Sequence, residues 1–344
     1  MAIDANAYSP KQFSFLIAEQ DDFGTLNPDS SGSPDLSWVA VDVDSIGSPS
    51  LNLNQVLEHR TGSRLLQASD FFQDNKAKVM EISVSGTATR EVIDMLLMQI
   101  TQSSDGSEPF FIQPSTLTAQ TFTTETENQT NMQIFSICYK SPSSGNTLAF
   151  KDCFCTNLSL NGDMGTEGGR VKFSATFKTG SLPADLTNTD IAIDTAITSN
   201  NFYMSEWTAA NRKVAGIANC LVNSFTLNID NDMVFAGATS TGYELATRVG
   251  EVSISADFNI KYDALTDVLF ENFHDQATGS SEGITSMGVG DDTPSDGEFE
   301  FLMPKTVMTN VAMSEGDMMN LDVSVKAVAA GIADTEKMFQ ISTK

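Results

Sequence analysis

"EISVSGTATREVIDMLLMQI", residues 81–100, and "EVSISADFNIKYDALTDVLF", residues 251–270, are the stretches on which the fold turns. From Met80 the first alternates Met80, Ile82, Val84, Gly86 and Ala88 with Glu81, Ser83, Ser85, Thr87 and Thr89. The second alternates Val252, Ile254, Ala256, Phe258 and Ile260 with Glu251, Ser253, Ser255, Asp257 and Asn259. Period two over that length marks an antiparallel-type strand with one face buried. Each run then changes period. Val92, Ile93, Leu96, Leu97 and Ile100 in one, and Leu265, Val268, Leu269 and Phe273 in the other, form the apolar stripe of a helix that must lie on a sheet. Thr89 and Asp263 stand where N-caps belong, with side-chain oxygens available to first-turn amides. The two runs begin 251 − 81 = 170 residues apart.

The match continues on both sides. "NLSLNGDMGTEGGRVKFSATF" from Asn157 answers to "NVAMSEGDMMNLDVSVKAV" from Asn310. In each, a strand ends, Gly162-Asp163-Met164 or Gly316-Asp317-Met318 turns, and an alternating strand returns, offset by 323 − 173 = 150. Upstream, "SLNLN" from Ser50 and "SFTLNID" from Ser224 supply one more strand in each copy. Several matched elements in one order make chance a poor explanation. The expected fold is mainly β, with two tandem, duplicated antiparallel β-sandwich or barrel modules that each carry one α-helix. The expected divisions are an N-terminal arm (1–50), a first module (51–183), a linker (184–219), a second module (220–330) and a C-terminal tail (331–344). Residues 55–78 and 231–248, between the first two strands of each module, exceed the usual hairpin loop of about two to five residues. Connections of that size are usually functional or bind a partner, the alternative being an extended surface hairpin with no role.

With 344 residues, 40% hydrophobic and 19% charged, the chain has material for two or three folded domains. No window approaches the roughly 18 uncharged apolar residues of a membrane span. "MAIDANAYSPKQ" lacks the basic and apolar regions of a secretory signal, so a cytosolic product is expected. Cys138, Cys153, Cys155 and Cys220 show no paired spacing and read as buried free thiols. "CFC" is no metal site, because His59 and His274 sit in unrelated contexts. The formal charge of −26, from 45 acidic and 19 basic residues, disfavours wrapping nucleic acid, which needs cations at the phosphates. That charge is uneven: residues 220–330 hold 18 acidic against 4 basic, and 51–183 hold 13 against 10. Either the two modules put unequal charge on a shared surface, or much of the second module's excess sits in an outer loop at 275–300.

Candidate chemistry is sparse. "GSSEG", Gly279 to Gly283, has nucleophile-elbow spacing around Ser281 but lies in an acidic loop rather than between a strand and a helix. "DVDSIG" opens like a calcium loop at Asp42, Asp44 and Gly47, yet Ile46 and Leu53 stand at ligand positions. "GVG" at Gly288 precedes Asp291 and Asp292, which repel phosphate. His274-Asp275 has no nucleophile in reach by sequence. Trp38 and Trp207 read as packing residues of arm and linker, and the 15 Met as core filler. "NQT" at Asn128 and "NLS" at Asn157 match glycosylation acceptors but need a secretion route. No catalytic, cofactor-binding or metal residue is assigned.

Duplicated modules with near-matching faces let fewer chains close a ring. The order strand, long loop, strand, helix and closing hairpin, with "VGEVSISADFNIKYDALTDVLF" and "RVKFSATFKTG", resembles the tail tube proteins (major tail proteins) of long-tailed phages. The doubled module resembles the subset whose subunits carry two tube domains and form trimeric, pseudo-hexameric rings. The resemblance covers about residues 51–330 and is one of pattern, since the family has no short diagnostic motif. It implies sheets lining an acidic lumen, helices at 90–100 and 263–274 facing away from it, and loops at 55–78 and 231–248 touching adjacent rings. It also implies a structural virion protein of the tail, assembled in the host cytoplasm, with neither enzyme activity nor cofactor. The implied partners are further copies of itself, the tail tip and tail terminator proteins, and the tape measure protein in the lumen during assembly. DNA would pass without specific binding, repelled by wall carboxylates, and no membrane is involved. Two other readings stand beside this one. A pilin-like or surface-layer subunit calls for an export signal or disulfides, and a hydrolase would use Ser281 or His274.

Overall fold

The computed structural model describes residues 12–20, 22–26, 38–47, 49, 55–57, 71–73, 79–101, 110–114, 120–123, 133–142, 147–186, 191, 193–194, 201–207, 212–248, 252–276, 283–288, 299–316, 318–329 and 336–343. The chain begins with strands β1 (Ser14–Gln20), β2 (Trp38–Val41) and β3 (Val43–Ile46), then β4 (Gln55–Leu57), β5 (Phe71–Gln73) and β6 (Met80–Thr87). Helix α1 (Arg90–Ile100) follows, and β7 (Phe110–Ile112), β8 (Gln120–Thr123) and β9 (Ile134–Lys140) lead to the hairpin β10 (Thr147–Asp163) and β11 (Lys172–Thr179). Two short strands, β12 (Ala184–Leu186) and β13 (Ile193–Asp194), precede β14 (Val222–Asp230). Next come β15 (Val234–Ala238), β16 (Tyr243–Arg248), β17 (Ser253–Lys261) and helix α2 (Val268–Gln276). The chain closes with β18 (Gly283–Gly288), β19 (Phe299–Glu315), β20 (Met319–Ala327) and β21 (Phe339–Thr343).

The alternation sorts the side chains as read. Met80, Ile82 and Val84 are buried while Glu81 and Ser83 are exposed, and Ile254, Ala256, Phe258 and Ile260 are buried along β17. The chain is mainly β, and its largest sheet contains an antiparallel path β3-β6-β11-β10-β14-β17-β20-β19. The pairing order of the first four strands recurs in the last four. Bulges recur as well, with one unpaired extra residue at Asp44 in β3 and at Asn223 in β14, and again at Thr156 in β10 and at Thr309 in β19. Both hydroxyls at the second pair accept the same task, Thr156 Oγ1 donating to Thr176 O at 3.2 Å and Thr309 Oγ1 to Ser324 O at 3.3 Å.

β10 and β19 are 17 residues long because each serves two layers. The first part of β10 pairs with β9 and β12, and β9 continues through β1 and β2 to the parallel β13. The first part of β19 pairs with β18 and β21, and β21 with β7. One apolar core gathers Phe15, Ile17, Ile137 and Phe150 with Ile82, Phe173 and the helix residues Val92, Ile93, Leu96, Leu97 and Ile100. β1 reads as a continuous run because it is buried on both faces: Phe15 and Ile17 join this core, while Leu16 and Ala18 meet Trp38 and Cys138 on the other side. The stretch read as an arm therefore supplies β1, β2 and β3, and residues 50–54, where an upstream strand was expected, lie outside the described residues.

Each helix is fastened to a bulge by one glutamine. Gln99 Nε2 donates to Cys153 O at 2.7 Å, and Gln99 Oε1 accepts from Cys155 N at 2.6 Å. Gln276 does likewise with Met308, donating to its carbonyl at 2.6 Å and accepting from its amide at 2.7 Å. A bulge leaves backbone groups without ladder partners, and a buried unpaired one costs about 1–3 kcal/mol. Gln99→Ala orphans a donor and an acceptor at a fully buried site and is expected to cost about 2–5 kcal/mol in denaturant unfolding. Gln276→Ala, at a half-buried site that water reaches, is expected to cost less.

The caps differ from each other. Thr89 holds the N-cap position with extended backbone, but its hydroxyl makes no cap bond. Asp263 Oδ1 accepts from Leu265 N at 2.9 Å, and its carbonyl accepts from Thr266 N and Asp267 N, so a turn precedes α2. Among the described parts of the long connections, β4 pairs with β5, and β15 with β16. β16 also pairs with β8, and Phe235, Met233 and Ala246 pack on Phe23, Ile134 and Phe154.

Candidate assembly interface

The sheet path presents a polar face, and the helices lie on the opposite, apolar one. Six carboxylates (Asp44, Glu81, Asp163, Asp230, Asp257, Asp322) and four lysines (Lys172, Lys178, Lys261, Lys326) alternate on this face with buried neighbours, among Ser, Thr and Asn. Three of the lysines lie within 4.0 Å of a carboxylate: Lys172 near Asp44, Lys178 near Asp232 and Glu81, and Lys261 near Asp263. The Lys178 hydrogen bond to Asp232, 2.6 Å, holds that carboxyl below its usual range against partial burial. An amide network crosses four strands. Asn223 Nδ2 donates to Asn259 Oδ1 at 2.8 Å and to Asn320 Oδ1 at 3.1 Å, and Asn259 Nδ2 donates to Asp322 Oδ1 at 2.6 Å and Ser314 Oγ at 3.2 Å.

The decisive geometry is at the middle of the path. β10 pairs with β14 from Asn157 opposite Asp230 to Asp163 opposite Ser224, so the first half of the chain is joined edge to edge to the second. Aromatic side chains seal the seam on the apolar side. Trp207 lies 5.0 Å from Phe225 and stacks on Phe299 at 6.1 Å, and Phe202 lies 5.4 Å from Phe299. Gly162 is required there, since a Cβ would sit 2.7 Å from Met204 Sδ and 2.9 Å from Phe225.

Among the described residues, the edges corresponding to this seam have no partner strand at either end of the path. β9 and then β14 line one side of β10. On the same side of β19, β18 reaches Thr306, and beyond it no described strand pairs. Among the described residues β3 pairs with β6 alone. Burial follows: Leu160 in β10 is 0% exposed, whereas Met313 in β19 is 51% exposed, with Met318 and Met319 exposed at the tip beyond it. An open strand edge flanked by apolar side chains is a template for another strand.

The residues considered for chemistry do not converge. His274 Nδ1 is 3.4 Å from Asp275 Oδ1 with 81% of its side chain exposed, a solvent-facing pair at a helix end. Ser281, Leu53, His59, Asn128, Asp291 and Asp292 lie outside the described residues. Asp44 pairs with Lys172, and among the described residues no cluster of three His, Cys, Asp or Glu could hold a metal. All four cysteines are free and buried. Burial pushes Cys138 and Cys155 up to about 12 and Cys220 to about 11, and raises Cys153 well above its ordinary value. Buried Arg248 beside Cys155 is pushed down to about 10 by desolvation. In the native protein a thiol reagent at pH 8 is expected to label none of the four, and all four after unfolding. Because the folded values are raised, the buried thiols' contribution to stability is fully present below the unfolded thiol value, near pH 9, and is lost as pH climbs towards 11–12.

No protein-family model matches this chain, and no curated protein sequence matches it. No helix among the described residues is long and apolar enough to cross a membrane.

Proposed function

We propose that this chain is a tail-tube subunit, a structural virion protein whose copies join head to tail into stacked rings around a conduit for genome DNA. The observation that carries the reading is the β10–β14 seam together with the open edges of β19 and β3. A seam made once inside the chain, with both of its surfaces available again at the ends, is a heterologous contact, which closes into a ring when the rotation permits.

The reading requires that the two halves be copies of one module, and the bulges support that. Asp44 to Asn223 and Thr156 to Thr309 set offsets of 223 − 44 = 179 and 309 − 156 = 153. Applied to β14, the first offset sets Ser224 on Ser45; applied to β10, the second sets Gly316 on Asp163. β19 would thus continue onto β3 of the next copy with Gly316 near Ser45. Three copies would join their eight-stranded paths into a closed barrel of twenty-four strands. Strand spacing and the usual tilt give such a barrel roughly 45–50 Å between backbones, room for a DNA duplex.

The wall chemistry suits sliding. Phosphate adhesion needs available cations. On the described polar face carboxylates outnumber lysines, and Lys172, Lys178 and Lys261 are held by carboxylates. The partners would be further copies, the tail tip and terminator proteins, and a tape measure protein in the lumen. The 234–248 hairpin, packed on β8 of its own chain, serves lateral contact in this reading rather than ring stacking. Concentrated protein supplied with a tail-tip nucleator is expected to give rings or tubes with open centres in negative stain. A sample that stays monomeric throughout contradicts the reading.

A further inference from the structure

The two helices dock alike on their inner side and differ on their outer side. Matching Gln99 to Gln276 (276 − 99 = 177) sets Val92 and Leu96 on Leu269 and Phe273, all of which join or pack against the core. The same offset sets Ile93 and Leu97, each 0% exposed, on Phe270 and His274, both exposed. α1 has a neighbour there: it lies against β21, and Thr343 Oγ1 hydrogen-bonds to Asp94 Oδ1. β21 pairs with the first residues of β19, as β12 pairs with the first residues of β10. Ile341 and Ser342 of β21 are buried, whereas Ala184 and Asp185 of β12 are exposed. α2 and β12 are thus the two sides of a contact that the chain makes once internally and leaves open at opposite ends.

We propose that the outer face of α2, with Phe270 and His274, docks on Ala184–Leu186 of a second copy of this chain, as α1 docks on β21. This rests on the head-to-tail reading and adds to it a second contact, on the helix side of the sheet. Leu265 and Phe270, 53% and 37% exposed, supply the apolar surface, and Leu148, 40% exposed and paired with Asp185, supplies its complement. The occupant is a copy because the complementary segment lies in the chain itself and one half of the molecule already displays the fit.

The test mixes two preparations, Phe270→Cys and Asp185→Cys, under assembly conditions and adds a short bis-maleimide, with the buried native cysteines as the unreactive background. A covalent pair holding one chain of each kind is expected, absent when either partner is wild type. Phe270→Glu is expected to weaken association about tenfold or more while the monomer melts as wild type does. Assembly with no crosslink and an unaffected Phe270→Glu overturns this contact and leaves the β19–β3 contact standing. Lost assembly in Phe270→Glu with no crosslink gives the helix face to another occupant and also overturns it. Wild-type protein that never associates overturns both.

Discussion

Met313→Asp is expected to leave a folded monomer that no longer assembles. Met313 is 51% exposed in the single chain, so a charge there meets water and the melting temperature should stay within a degree or two. In the proposed ring Met313 occupies the place that Leu160 occupies at the internal seam, where exposure is 0%. Burying a carboxylate at such a place without a partner costs several kcal/mol, and the apolar contact is lost as well. A loss of roughly 4 kcal/mol weakens each contact by about a thousandfold. A closed ring needs every contact, so sedimentation should show only monomer at concentrations where wild type assembles.

Trp207→Ala is expected to have the largest effect on the fold itself. The indole is 5% exposed and sits between Phe225 of β14 and Phe299 of β19, bridging the start of the second half to its closing hairpin. Removing a buried Trp costs about 3–5 kcal/mol, since the surrounding rings only partly collapse into the space. Thermal unfolding should fall by on the order of 10 °C. Trp207→Phe keeps an aromatic ring in contact and is expected to recover more than half of that loss. Equal losses for both variants would mean that the indole's contacts beyond a single ring hold the seam.

The elements that alternate were legible in the sequence, and the relations between them were not. Met80–Thr87 and Ser253–Lys261 announce themselves because one face is core and the other is wet. Their alignment is another matter. Carried through the bulged hairpins, the observed pairings set Gly86 on Ile260, an offset of 260 − 86 = 174, where the sequence match begins at 170. A shift of four residues preserves every in-or-out assignment of a period-two pattern, so periodicity cannot detect it. Bulges at Asp44, Thr156, Asn223 and Thr309 change the count without changing composition.

The candidate interface was harder to read. Open edges are a property of which strands pair, and pairings such as β10 with β14 or β21 with β7 join residues far apart in the chain. The charge signal also spread differently from its simplest reading. The described polar face is rich in Ser, Thr and Asn and bears six carboxylates, a small share of the 45 acidic residues. The methionine signal was general: Met313, Met318 and Met319 look like core filler in sequence, yet they are exposed, at an edge where no described strand pairs.

Cryo-electron microscopy of the assembled protein, at a resolution that separates strands, addresses the central claim directly. The account predicts an uninterrupted wall of antiparallel strands around an open bore, with β19 of each copy hydrogen-bonded to β3 of the next and the polar face inward. Copies that meet through any other pair of edges, or a particle with no bore, would contradict it.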